Sequence, residues 1–227
     1  GDGLDDVFIG GAIGQAGRLF LQQPDETFRP ANTQPWEADK ESEDVRALFA
    51  DLNNDKFTDL YVVSGGNEYE DGSPEFADRI YVNDGQGNFQ KVNSAFPADM
   101  LSSKAAIACA DIDGDGDLDL FIGGSAIPGA FPNAARSYLL RNDSRAGKMS
   151  FTDITTQWNA NLVNPGIITS AVFAPMQNDG RQDLIIAGEW MPVRLFKNEG
   201  TRFSETSADA GLTHEGLWSA LHITDVN

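Results

Sequence analysis

Short apolar runs, each long enough for one strand, recur along the chain between polar stretches rich in Asp, Asn and Gly. One such run is Ala105–Ala110; the next, Leu120–Ile122, ends in Gly123-Gly124. Runs of this length bounded by Gly and Asp read as buried strands rather than helices. The alternation repeats. One unit offers Val45–Ala50, Leu60–Ser64, Arg79–Asn83 and Phe89–Val92, and the next adds Ser137–Asn142 and Phe151–Ile154. A later unit gives Leu184–Gly188, Val193–Gly200 and Phe203–Thr206, and the first gives Val7–Gly11, Arg18–Leu21 and Thr27–Arg29. The pairs Asp84-Gly85 and Gly87-Asn88 carry hairpin-turn chemistry. No apolar stripe of helical period is sustained, so no helix longer than a turn or two is expected.

The polar stretch Asp111-Ile-Asp-Gly-Asp-Gly-Asp-Leu-Asp119 places an acid at every second position. Such a loop turns its oxygens toward one point, which suits a hard cation with many oxygen ligands. It begins like an EF-hand, but its closing acid comes too early and a strand follows where a helix would stand. Strand, cation loop, strand is the reading. Asp51–Asp59 repeats the design, Asp2–Asp6 is the second half of a copy, Pro175–Asp183 is a decayed copy, and Asp225–Asn227 begins another. With Asp6, Asp59, Asp119 and Asp183 as equivalents, the spacings are 59−6=53, 119−59=60 and 183−119=64. A period of this size signals a repeat architecture. Four short antiparallel strands per unit predict an all-β propeller of four-stranded blades. The units are residues 1–36, 45–96, 105–158 and 167–212, with a fifth starting at 217–227.

An aromatic or leucine follows each last strand: Trp36, Phe96, Trp158 and Leu212. A wedge between neighbouring blades is favoured over a ligand platform, because the position repeats with the fold. The loops between second and third strands vary far more, and binding usually sits on such loops. They lie at the end of the blades opposite the cation loops. Tyr69, Phe131, Arg136 and Trp190 are the candidate ligand residues there, since aromatics beside polar groups line sugar and peptide sites.

Charge and composition narrow the partners. A formal charge of −19 argues against nucleic acid. One cysteine, Cys109, permits no intrachain disulfide and fits a small buried hydrophobe. No stretch is long and apolar enough to span a membrane. With two histidines, His214 and His222, and no nucleophile elbow, zinc motif or phosphate loop, no acid/base constellation stands out.

At these loops the chain resembles the FG-GAP/VCBS repeat family, whose members share a D-x-[DN]-x-D-G-x-x-D loop and a following strand, as in the integrin alpha-subunit propeller. More narrowly, Asp119–Gly124, Ser137–Asp143 and Gly188–Pro192 are similar to bacterial VCBS-repeat proteins of the ASPIC/UnbV and cartilage-acidic-protein type. The resemblance covers essentially the whole chain. It implies a Ca²⁺-binding propeller, usually with more blades than these, secreted, periplasmic or displayed at the cell surface. Carried over by position, it gives one Ca²⁺ site with side-chain oxygens from Asp111, Asp113, Asp115 and Asp119 and the carbonyl of Asp117. A second, weaker site has Asp51, Asn53, Asp55 and Asp59 with the carbonyl of Phe57, because Lys56 replaces the glycine. The loop at Pro175–Asp183 keeps only Asp179 and Asp183, so no metal is expected there.

Two readings of the ends remain. In the favoured one the chain is part of a larger propeller, with further blades or domains beyond it. In the other, four blades close into a ring: Leu221-His222-Ile223 pairs with Val7-Phe8-Ile9, and Asp225, Asn227, Asp2 and Asp6 surround a third cation. The leading functional expectation is a calcium-stabilised scaffold that binds a protein or glycan outside the cell. The alternatives are a carbohydrate lyase or hydrolase on a calcium propeller, and a structural spacer in a surface protein.

Overall fold

The computed structural model describes residues 3–32, 34–145 and 148–226. β1 (Val7–Ile9), β2 (Arg18–Gln22) and β3 (Phe28–Pro30) form a three-stranded antiparallel sheet. β4 (Glu43–Ala50), β5 (Asp59–Gly65), β6 (Arg79–Asn83) and β7 (Phe89–Lys91) form the second sheet, each strand beside the next in sequence. The third has the same order with β8 (Lys104–Ala110), β9 (Asp119–Gly124), β10 (Tyr138–Asn142) and β11 (Phe151–Asp153). The fourth contains β12 (Ile167–Ala174), β13 (Asp183–Pro192), β14 (Arg194–Asn198) and β15 (Phe203–Glu205), with β16 (Glu215–Leu217) added along the end of β13. These are propeller blades. The helical elements are single turns, at Pro35–Asp39, Pro74–Phe76, Thr155–Trp158 and Ala160–Leu162. None is long and apolar enough to cross a membrane.

The second strand in the second blade, and again in the third, explains why the apolar runs are continuous. Its side chains alternate faces, and both faces pack against a neighbouring blade. Leu60 and Val62 join Leu19 and Trp36 on the side of the first blade, while Tyr61 and Val63 join Leu120, Ile122 and Leu140 of the third. Phe121 then turns the other way, to Ile168, Leu184, Ile186 and Phe196 of the fourth. Each such buried side chain contributes about 1.5–3 kcal/mol.

The recurrent aromatics are wedges. Trp36 meets Phe8 at 5.2 Å and Tyr81 at 5.5 Å across the first interface. Phe96 sits between Tyr61 (5.3 Å) and Phe151 (5.4 Å), and Trp158 packs on Phe203 at 5.2 Å. Leu212 packs with Leu221 on Ala174, Ile185 and Leu195, the outward face of the fourth blade.

The four-bladed ring is not formed. Among the described residues β1 pairs only with β2. The strand expected at Leu221-His222-Ile223 is absent: β16 lies earlier, at Glu215–Leu217, and residues 218–226 hold no ladder. That segment is tied to the fourth blade instead. Trp218 Nε1 donates to the Met191 carbonyl at 2.8 Å, the Thr169 hydroxyl donates to the Trp218 carbonyl, and Leu221 N donates to Ser170 Oγ at 3.1 Å. Leu221 is thus held against the fourth blade, while β1 belongs to the first. Of the proposed third cation set, Asp2 and Asn227 lie outside the described residues.

Candidate functional site

The loop between β8 and β9 brings ligand atoms of Asp111, Asp113 and Asp115 within 4.8 Å of one another. Backbone donors hold the carboxylates in place. Gly114 N reaches Asp111 Oδ1 at 2.8 Å, Gly116 N reaches Asp111 Oδ2 at 3.1 Å, and Asp117 N reaches Asp115 Oδ1 at 2.9 Å. Three hard oxygen donors on one short loop are the chemistry of a calcium or magnesium site, so the residues fit the ion that the resemblance implies. Burial, then Asp115, raises the Asp113 carboxyl; a bound divalent cation would reverse that pressure.

The loop between β4 and β5 repeats the fold with poorer chemistry. Lys56 takes φ +73 where the third blade has Gly116 at φ +93, a conformation that costs an L-residue about 1–2 kcal/mol. Asn53 points its amide nitrogen at Asp55 Oδ2, 3.0 Å away. Asp51 accepts from Lys56 N at 2.8 Å. The two loops touch through the Asn54 amide and the Asp117 carboxylate, so Asp117 offers its side chain to a neighbouring blade. In the fourth blade the Asp179 side chain accepts from Arg181 N at 3.1 Å, and Asp183 is the one other acid of that loop.

The closing acids have a further role that the loop pattern hides. Asp59, Asp119 and Asp183 are buried, and each is clamped by two backbone amides. Asp119 accepts from Ile112 N at 3.0 Å and Asn142 N at 2.8 Å; Asp183 accepts from Met176 N at 3.2 Å and Asn198 N at 2.7 Å. Asp59 accepts from Leu52 N and Asn83 N, and Asp6 from Gln22 N at 3.0 Å. Burial, ahead of the neighbouring acids, pushes Asp119 up to about 7 and Asp59 up to about 6. The asparagines opposite them also join blades: Asn142 Nδ2 donates to the Leu52 carbonyl (2.9 Å) and Asn198 Nδ2 to the Ile112 carbonyl (2.8 Å). Sequence reasoning missed this ladder. Its signal is an Asn followed by an acid at the end of each third strand: Asn83-Asp84, Asn142-Asp143 and Asn198-Glu199.

At the other end of the blades the four candidate ligand residues part company. Phe131 and Trp190 come together, with ring centroids 5.1 Å apart and planes at 68°, and are 60% and 54% exposed. They open a cleft of about 450 Å³ walled by Pro132, Ala134, Pro165, Ile167, Glu189 and Met191. Behind it Gly188 lets β12 and Met191 close in, since a Cβ there would strike the Ile167 carbonyl and the Met191 sulfur. Trp190 itself has φ +51 at the bulge where β13 passes from β12 to β16, rare strain for a bulky residue. Tyr69 packs on Phe76 at 6.4 Å instead. Arg136 pairs with Asp153 at 2.5 Å and lies over the Tyr138 ring. It lines an adjoining cleft with Asp71 and Asp99 that shares only Ala134 with the first.

No curated protein matches the chain. A family model described as FG-GAP-like repeat matches residues 1–62 and 51–122, together 122 of 227 residues. Loop, strand order and blade packing agree with that match, and the chain belongs to the FG-GAP-like repeat family.

Proposed function

We propose that this run of blades is a calcium-stabilised scaffold that works outside the cell and offers the face opposite its metal loops to a protein or glycan partner. The observation that carries this reading is the Phe131–Trp190 pair: two large aromatics, more than half exposed, held over a cleft by a strained backbone. Exposed apolar surface of this kind marks interaction sites, and strain of about 1–3 kcal/mol persists where surrounding structure enforces it. The acids of Asp111, Asp113 and Asp115 would hold the ion, whose part is to neutralise their mutual repulsion and fix the loop.

Two measurements test the reading. Calorimetry should show calcium binding with a dissociation constant on the order of 10⁻⁴ to 10⁻³ M, lost in Asp115→Ala. An array of glycans and peptides probed in calcium should give signals that fall in Trp190→Ala. Absence of calcium binding at several millimolar would remove the metal half of the reading, and array signals indifferent to Trp190→Ala would remove the other half.

A further inference from the structure

We propose that the Phe131–Trp190 cleft recognises an organic cation of the quaternary ammonium class. The inference rests on the preceding reading only in placing a ligand on this face.

The cleft is apolar with one charge. The two rings meet edge to face at 68° and both line the cleft; a cation within about 6 Å of the open face of either is attracted by its negative quadrupole. Glu189, partly buried, lines the cleft beside them and makes no side-chain hydrogen bond or ion pair with the described residues. No Lys or Arg lines the cleft; Arg136 and Arg194 on flanking strands pair with Asp153 and, at 2.6 Å, with Glu205, and Arg46 reaches the Thr169 carbonyl of β12 at 3.4 Å. The field in the cleft is therefore negative, and the chain's charge of −19 draws cations toward it.

Hydrogen-bond demand then selects among cations. Pro132, Ala134, Pro165, Ile167 and Met191 bring no strong side-chain acceptor, leaving Glu189 as the one charged acceptor in the wall. A primary ammonium carries three N–H donors and a guanidinium five; most would lose water here without replacement, at a cost. A trimethylammonium group has no N–H to satisfy, and its methyls suit apolar walls. A phosphate beside it finds no cation in the wall, so choline fits better than phosphocholine.

The test is ligand-observed NMR titration with tetramethylammonium, choline, phosphocholine, a trimethyllysine peptide, its unmethylated form, and 3,3-dimethylbutanol as the uncharged isostere of choline. The expected result is binding of tetramethylammonium and choline with a dissociation constant on the order of millimolar. Phosphocholine, the isostere and the unmethylated peptide should bind more weakly. Binding of the trimethyllysine peptide would identify a modified protein as the source, and binding of choline alone a small molecule or its conjugate; each supports the proposal. Glu189→Gln should weaken choline about fivefold, the share of one unit charge across ~4 Å of water, and leave the isostere unchanged. Trp190→Ala and, as a milder change, Phe131→Leu should abolish or reduce both. Equal binding of choline and its isostere, or indifference to Glu189→Gln, would overturn the cation assignment while leaving an apolar ligand site. No binding at tens of millimolar alongside array signals that need Trp190 would overturn it too, with the binding face intact. Failure of both would discard the face itself.

Discussion

Replacing Asp183 by alanine separates the two roles that the loop acids combine. The fourth loop has Pro175 and Gln177 in place of the first two acids, so calcium is not at stake, and the measurement can be made in chelator. Asp183 is 1% exposed and accepts from Met176 N at 3.2 Å and Asn198 N at 2.7 Å. Alanine strands both amides, each worth about 1–3 kcal/mol when buried without a partner. Part of that loss is offset, because the variant no longer buries a carboxylate. A net loss of about 3 kcal/mol follows, with a fall in melting temperature of roughly 6–12 °C for a chain of this size. Asp179→Ala, on the exposed side of the same loop, should stay within about 0.5 kcal/mol. Urea unfolding of both variants beside the wild type, with slopes compared, is the assay. Equal losses from the two substitutions, or a loss below about 1 kcal/mol for Asp183→Ala, would refute the clamp.

The asparagine ladder gives a graded series: Asn142→Ala and Asn198→Ala should each cost about 1–2 kcal/mol. Asn83→Ala should cost less in urea unfolding, because its amide reaches only Thr58 of its own blade. Lys56→Gly should raise stability by about 1 kcal/mol, less the entropy that glycine adds to the unfolded chain, and tighten calcium at the second blade in calorimetry. Glu43 is raised from its ordinary 4.5 by burial first and by Glu68 second. Its folded-state penalty is therefore absent below about 4.5 and complete above the raised value. Glu43→Gln should stabilise the protein at neutral pH and change little at pH 4, read from thermal melts at both.

Strand order and loop chemistry were legible because the second strands of the second, third and fourth blades are buried on both faces, so Leu60–Val63, Leu120–Ile122 and Leu184–Ile186 need no polar residue at all. Trp36, Phe96 and Trp158 were legible as wedges because they repeat with the fold. Tyr69 and Arg136 were not separable from Phe131 and Trp190, because contacts distant in sequence set the loop conformations. The loop carrying Tyr69 is drawn inward: Lys104, fully buried, donates to the Phe76 carbonyl at 2.5 Å and pairs with Asp78 at 3.4 Å. No local spacing announces a lysine from the next blade. Likewise the bulge that turns Trp190 outward depends on β16, which pairs with Glu189 and Met191.

The decayed fourth loop shows what each acid is for. If the closing acid were only a ligand, it would have no reason to stand at Asp183 beside Pro175 and Gln177. It stands there buried, holding the turn onto β14 by the same two amides that hold Asp59 and Asp119. The outer acids, which carry mutual repulsion and make Asx-type bonds within their own loops, are the part a metal must stabilise. A blade can therefore lose its outer acids without losing its shape. That matters for the opposite face, since Trp190 is carried by β13, the very strand that begins at Asp183. The Trp190 wall of the aromatic cleft is thus carried by the blade whose loop keeps the fewest acids, while Phe131, Pro132 and Ala134 come from the third blade, whose loop keeps them all.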